Sequence, residues 1–394
     1  MALLTVIDVL MMVVGGVGII YQAICVIMSL FSKPVHFPDA PMDKRYAVLI
    51  SARNEENVIG NLIDSLHNQT YPSKLIDIWL VADNCTDRTA EVVREMGCHV
   101  VERHDTELIG KGYALSYLLS TMIDSGVADD YDAYFVFDAD NVLDRQFVEA
   151  MNRTFSDGYE VITSYRNSKN YGDNWISAGY ALWFIRESRY LNNSRMLLGT
   201  SCAVSGTGFL FSRKVIESTN GWRFHLLTED IEFSVYNILQ GRQIGFCADA
   251  VLYDEQPVTF RQSWRQRLRW ARGFLQVFRK YGFSLFRGVG KGHFSCYDMS
   301  MTVMPAYILT VGLAFLYLIG GLLTAADGMS VMPCLKYMLQ TLTWLYTLLF
   351  LLGAFTTITE WKNIHTSAPR KILYTFTFPL FMLTYIPISM VALF

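Results

Sequence analysis

Hydrophobic positions fall into two regimes along the chain. In residues 3–31, 301–326, 338–358 and 372–394 they run almost unbroken, with Asp8 the one charge in the first stretch and none in the other three. At ~1.5 Å of helix per residue, each stretch is long enough to cross ~30 Å of hydrocarbon. The pattern therefore predicts four membrane-spanning helices, one before and three after a charged middle region. In that middle region short apolar runs alternate with helical spacing. "YAVLISA" (46–52), "IDIWLVA" (76–82), "HVVE" (99–102) and "AYFVFDA" (133–139) read as strands. Residues 55–68, 87–96 and 111–123 read as helices between them. This β-α-β order predicts an α/β domain with a mostly parallel sheet covered on both faces. The proline-rich "KPVHFPDAPMDK" (33–44) reads as a linker.

Basic residues set an orientation for the spans. Lys33, Lys44 and Arg45 follow the first; Arg279, Lys280, Arg287 and Lys291 precede the second; Lys362, Arg370 and Lys371 lie between the third and fourth. The remaining loop, near Asp327, has only Lys336. One topology satisfies these positions: N-terminus outside, middle domain in the cytoplasm, C-terminus outside. A cleaved signal sequence would carry a positive start and a small-residue cleavage site. Neither stands out, so residues 1–32 read as an anchor. The seven cysteines form no CxxC or zinc spacing and read as free thiols.

Ligands of such sheets bind beyond the carboxyl ends of the strands. There the chain places "ARNEE" after the first strand, "ADNCTD" after the second and "DADN" after the fourth. It has no GxGxxG after the first strand and no GxxxxGK[ST], the backbone cradles for dinucleotides and phosphates. Acidic strand ends offer another way to hold a diphosphate, through Mg²⁺ or Mn²⁺. Asp138 and Asp140, two apart, should share one side of the strand end and need a cation or donor to relieve their repulsion. Otherwise they are a solvated turn. Asp83 suits a nucleobase or ribose contact, or an Asx turn capping the next helix. Arg53 and Glu55 line the same cleft or favour a helix start. Lys111, between glycines, reaches a phosphate or is solvated surface. In "HLLTED", Thr228 reads as a helix N-cap, with Glu229 and Asp230 in the first turn; Asp230 is also placed to act as a general base.

"QSWRQRLRWARG" (262–273) crowds cations and aromatics into a chain whose formal net charge is only -3. As a helix it puts Gln266, Arg269 and Trp270 on one face. Trp264, Leu268, Leu275 and Phe278 form an apolar side, and Arg265, Arg267, Arg272 and Arg279 supply cationic heads. One reading is an interfacial helix at the bilayer. The other has Arg269 gripping a leaving diphosphate and Trp270 stacking on a sugar. The two are compatible.

Together "ARNEE", "ADNCTD", "FDADN", "TED" and "QRLRW" strongly resemble membrane-embedded family 2 glycosyltransferases, the group of cellulose, chitin and hyaluronan synthases. The resemblance covers roughly residues 45–285. It implies a GT-A (Rossmann-like) fold at 45–260, an amphipathic region at 261–290, and transmembrane helices at 1–32 and 300–394. By the resemblance, Asp83 contacts the nucleotide, Asp140 holds Mg²⁺ or Mn²⁺ beside Asp138, and Asp230 is the catalytic base. Outside that carry-over, Arg53, Glu55, Lys111 and Glu229 are further candidate substrate contacts, read from their own positions in the sequence. Gln266, Arg269 and Trp270 match the Q-x-x-R-W motif of the processive branch. "SGTGFLF" (205–211) falls where the family places a loop near the acceptor sugar, and departs from the hyaluronan and cellulose synthase versions. The implied enzyme is an inverting, metal-dependent transferase at the cell membrane. It takes a UDP- or GDP-sugar donor and extends a polysaccharide. A transferase adding one sugar to a lipid or short acceptor is the nearer alternative. A transporter or binding module is the farther one, and would place ionisable groups within the spans, where only Asp8 is found. Membrane lipids are expected partners; nucleic acid is not.

Overall fold

Tyr46, Val48 and Ile50 turn to one side of a strand, Ala47 and Leu49 to the other, and all five are fully buried. A strand apolar on both sides must be covered on both sides, and the computed structural model of the protein is built around it. The structure describes residues 20–304, 312–326 and 332–394, with positions 13, 16, 328 and 330 besides. Asp8 and most of the first apolar stretch lie outside the described residues.

Among the described residues eight strands form one mixed sheet: β1 (Tyr46–Ala52), β2 (Ile76–Asp83), β3 (His99–Arg103), β4 (Ala133–Asp138), β5 (Val142–Leu143), β6 (Val161–Ser168), β7 (Phe209–Ser212) and β8 (Ile244–Asp254). Their order is β3-β2-β1-β4-β7-β6-β8-β5. The first four are parallel, Tyr46 standing opposite both Ile76 and Ala133. β7 runs antiparallel to β4 and β6, and β8 is parallel to β6.

The helices before the sheet's last strand are α1 (Ile20–Phe31), α2 (Ile59–His67), α3 (Thr89–Glu95), α4 (Lys111–Asp124), α5 (Phe147–Ser156), α6 (Trp175–Arg186), α7 (Asn193–Leu197), α8 (Arg213–Thr219) and α9 (Glu229–Leu239). One face of the sheet packs on α2, α3 and α5 through Leu62, Val93 and Met151. The other packs on α4, α6 and α9 through Leu118, Leu182 and Phe233. The helices expected from Glu55 and Asp87 begin later, at Ile59 and Thr89. The acids are engaged in a loop clasp: Glu56 accepts from Arg88 N–H (2.9 Å), and Asp87 accepts from the N–H groups of Glu56 (3.1 Å) and Thr89 (3.1 Å).

After β8 come α10 (Phe260–Gly290), α11 (Phe294–Val303), α12 (Gly312–Ala326), α13 (Met332–Thr359), α14 (Ala368–Leu383) and α15 (Tyr385–Val391). Among the described residues two stretches are long and apolar enough to cross a membrane, Met338–Thr359 and Ala368–Val391. The expected spans at 3–31 and 301–326 are not carried by the described residues. The first shows only the short apolar helix Ile20–Phe31. In the second, α11 ends at Val303, residues 305–311 lie outside the described residues, and α12 has 15 residues.

The C-terminal helices sit directly on the sheet domain. Phe381 of α14 fills the space a Cβ on Gly179 would occupy, at 2.3 Å. Tyr165 donates to Glu360 (2.8 Å), and Asn167 donates to the Asn363 carbonyl (2.9 Å). Arg267, expected among the exposed cations, is fully buried. It donates to the Phe381 carbonyl (3.0 Å) and the Thr384 hydroxyl (2.6 Å), where α14 gives way to α15. The apolar side of α10 is likewise not free at this end, since Trp264 and Leu268 pack on Ile388 and Ala392 of α15.

Candidate active site

The parallel register brings the carboxyl ends of β1, β2 and β4 to one edge. Asn54 and Asn84, just past β1 and β2, have φ of 60° and 55°, a left-handed turn that Asn tolerates better than most residues. Each ties its loop to a neighbour: Asn54 accepts from Thr86 N–H (2.8 Å) and Asn84 from Asp105 N–H (2.9 Å). Asp83 is buried and accepts from the Arg103 guanidinium at 2.6 Å. Arg103 also donates to the Leu108 carbonyl (2.6 Å). Asp83 thus shapes the loop leading to Lys111, while the next helix has Arg88 at its N-cap and no side-chain cap. Arg53 is exposed after β1. Glu55 is half-buried, and its carboxyl is raised by burial, then by Asp138 and Asp87.

Lys111 is the first residue of α4, after Gly110 at φ 140°. Its ammonium donates to Asp138 and, at 2.8 Å, to the Gly206 carbonyl. Burial pulls its pKa down, but Asp138, Glu229 and Asp230 more than offset this and leave it raised, so it stays charged. Asp138 ends β4, so strand alternation does not carry on to Asp140. Asp140 follows in the turn beyond the strand, close enough to Asp138 and Asp254 for both charges to act on it. Asn141 bridges it, donating to Asp140 (3.4 Å) and to the buried Asp254 (2.9 Å). Asp254 in turn accepts from Arg166 (Nε, 3.0 Å) and Gln256 (2.8 Å). Burial and the charges of Asp254 and Asp138 push the Asp140 carboxyl up to about 8.

The "TED" segment faces these groups. A Cβ built on Gly206 would lie 3.9 Å from Asp230 Oδ2 and 3.8 Å from Arg166 Nη1. The loop that holds Lys111 through its carbonyl therefore also touches the expected base. Burial raises the carboxyls of both Glu229 and Asp230; Asp230 raises Glu229 further, while Lys111 and Arg269 pull both back. Thr228 stands at the N-cap position but makes no capping hydrogen bond, and its buried hydroxyl has no partner. Gly273 explains why: α10 crosses so close that a Cβ there would meet Thr228 Cγ2 at 2.5 Å.

From α10, Arg269 reaches back to donate to the Leu227 carbonyl at 2.9 Å. Trp270 stands edge-on to Tyr180 (5.7 Å) and Phe184 (6.1 Å). The Gln266 carbonyl oxygen is buried without a partner, which is costly unless a ligand supplies a donor. The structure thus brings together Lys111, Asp138, Asp140, Glu229, Asp230 and Arg269, with Glu55 sensing the cluster. Arg53 is exposed at the end of the neighbouring strand β1 and makes no contact with this cluster among the described residues.

Residues 43–273, which contain this whole constellation, match the family model described as "Glycosyltransferase like family 2". The chain belongs to glycosyltransferase family 2. It is similar to a probable glycosyltransferase, YdaM, of Bacillus subtilis, 29% identical over 62% of this chain and 58% of the relative. It is also similar to a beta-monoglucosyldiacylglycerol synthase of Synechocystis, 25% identical over 59% of this chain and 48% of the relative. A third relative is a poly-beta-1,6-N-acetyl-D-glucosamine synthase of Staphylococcus epidermidis, 24% identical over 58% of this chain and 54% of the relative. The chain thus spans about half the length of these relatives. Among solved structures, the mannosyltransferase PcManGT of Pyrobaculum calidifontis, in complex with GDP-Man and Mn²⁺, shares the fold: TM-score 0.62, 16% identity, 98% of each chain covered.

Asn141, Arg166 and Asp254 join the cluster through these hydrogen bonds and escaped the sequence reading. Asp254 ends "IGFCADAVLYD", an apolar strand with an acidic end like the others. Its signal was present, but the strands after residue 139 were not traced. Among the described residues no three acidic, His or Cys side chains converge as a ready-made ion cage. Asp140 nevertheless fits a divalent ion of the Mg²⁺ type. One buried carboxylate, destabilised by two others, gains from a cation, and such ions take their remaining ligands from phosphate oxygens and water.

Proposed function

We propose that this family 2 glycosyltransferase moves a sugar, with inversion, from a UDP- or GDP-sugar to an acceptor at a membrane. The observation that carries the reading is the meeting at Gly206. Its carbonyl holds Lys111 at 2.8 Å, and its Cα hydrogens face Asp230, with a Cβ position 3.9 Å from Oδ2. In this reading a cation for a departing diphosphate, from α4, and a base for an incoming hydroxyl, from α9, meet at one loop.

In this proposal Asp138 orients Lys111 toward the diphosphate, and Arg269 adds a guanidinium suited to phosphate oxygens. Asp83, through Arg103, shapes the nucleotide side, with Arg53 and Glu55 at its rim. Asp140 would hold Mg²⁺ or Mn²⁺, which when bound neutralises diphosphate charge. Asp230 takes the proton from the acceptor hydroxyl as that oxygen attacks the anomeric carbon, with Glu229 beside it. One base suffices, since a diphosphate leaves without needing a proton. The expected domain plan is catalytic at 45–260, amphipathic at 261–290 and membrane-spanning at 300–394, with 1–32 as an anchor and the catalytic domain cytoplasmic.

Polymer extension is supported by Gln266, Arg269 and Trp270, whose unpartnered Gln266 oxygen suits an acceptor hydroxyl. Single transfer to a lipid is supported by the Synechocystis relative. Sizing the labelled product made by membranes supplied with UDP- and GDP-sugars separates the two. Asp230→Asn should cut turnover at least about 10³-fold, as for loss of an essential base, while nucleotide binding stays within about twofold. Near-normal turnover in that variant would sink the proposal. The base must be ionised, and burial raises its pKa. So kcat/KM should fall as pH drops through a value above the ordinary ~3.9 of Asp, and level off above it.

A further inference from the structure

A second cavity, of about 640 Å³, lies away from the acidic strand ends, where α10 turns into α11 beside the end of α9. Arg242, Arg287, Lys291 and His293 line it and no carboxylate does. Arg242 is held by Glu160 (3.3 Å). Arg287, Lys291 and His293 are exposed, and among the described residues none of the three forms an ion pair. The start of α11 adds to the positive field, since its first turn has no acidic residue and no side chain caps it.

Apolar surface flanks these cations. Phe283, one turn before Arg287 on α10, is 83% exposed, and Phe286, next to Arg287, is 46% exposed. Phe294, in the cavity wall, packs on Tyr21 of α1 at 5.2 Å, and α1 exposes Ile20, Ile24, Ile27, Leu30 and Phe31. Exposed rings beside unpaired cations suit a lipid boundary, with acyl chains on the rings and a phosphate on the cations. We infer that this cavity binds the headgroup of an anionic phospholipid, with Arg287 and Lys291 as its phosphate contacts. This rests on the membrane-associated reading and is independent of the transfer chemistry.

The test uses the full chain purified in a non-ionic detergent, with melting temperature as the readout. Dihexanoyl phosphatidate should raise it saturably, while dihexanoyl phosphatidylcholine and inorganic phosphate at equal concentration should not. Arg287→Gln with Lys291→Gln should raise the half-saturating phosphatidate concentration at least about tenfold, the scale of one charge-assisted contact. Arg287→Lys, which keeps the charge, should retain most of the response. Equal shifts from phosphatidylcholine, or an unaltered response in the double variant, would overturn the inference. A matching shift from inorganic phosphate would reassign the cavity to the free ion and equally overturn it. Nucleotide release in detergent without added lipid tests the transferase reading separately.

Discussion

Arg267 and Arg269 stand two residues apart on one helix and live in opposite worlds. Arg267 is fully buried, its guanidinium between the rings of Phe381 (4.4 Å) and Tyr385 (5.1 Å). Arg269 is exposed and lowers the pKa of both Glu229 and Asp230. The same contrast divides α10 lengthwise. Trp264 and Leu268 are covered by α15, while Phe283 and Phe286 are bare. Both halves carry cations and large aromatic side chains. What differs is whether another helix arrives, and that is settled by the break at Thr384, more than a hundred residues downstream. An arginine- and aromatic-rich helix is therefore not one kind of object. Each cation takes its role from its tertiary neighbour.

The sharpest way to break the contrast is Arg269→Ala. If Arg269 stabilises the leaving diphosphate, kcat/KM should fall about 10²–10³-fold, as when one preorganised transition-state donor is lost, with the melting temperature unchanged. Arg269→Lys should recover only part, because an ammonium lacks the bidentate fork. Steady-state kinetics on detergent-solubilised enzyme decides it. A loss of stability with little loss of rate would place Arg269 in Arg267's class.

Gly273→Ala probes the helix carrying both arginines. The new methyl would lie 2.5 Å from Thr228 Cγ2 and 2.9 Å from its backbone nitrogen, so α10 must back away from the start of α9. Overpacking of this kind costs about 1–3 kcal/mol. A displacement near 1 Å costs about 10²-fold in rate, so activity should drop about tenfold or more. A variant with wild-type kinetics would mean that the α9–α10 contact does not position Arg269.

The parts legible in sequence were those where side chain and period reinforce each other. The four parallel strands and their acidic ends were readable because buried strands are apolar runs and their ligand-facing ends are polar. Asp138 followed from that rule, Asp230 from the motif order, and Lys111 from its place between glycines at a helix start. Arg267 was not legible, since its partners Phe381 and Thr384 lie on a helix that local periodicity cannot dock. Asn141 was overlooked after two louder aspartates, though it bridges Asp140 to Asp254. An apolar run does not by itself name what covers it. A long apolar run is also what a helix needs when it packs on a domain, as α14 does on Gly179 through Phe381.

Arg267 itself gives the smallest but cleanest test. Two of its nitrogens, Nε and Nη2, are buried without partners, so the charge is imperfectly compensated, and burial lowers its pKa. Arg267→Ala opens a cavity and frees the Phe381 carbonyl, which should cost about 2–4 kcal/mol. Arg267→Met fills most of the volume and carries no charge, so it should recover much of that loss, as apolar replacements of buried ions often do. Melting temperature orders the three as wild type, then Met, then Ala, with kcat/KM within a few-fold throughout. If Ala instead melts with wild type while its rate collapses, the division between the two arginines is drawn in the wrong place, and the break at Thr384 acts on the active site.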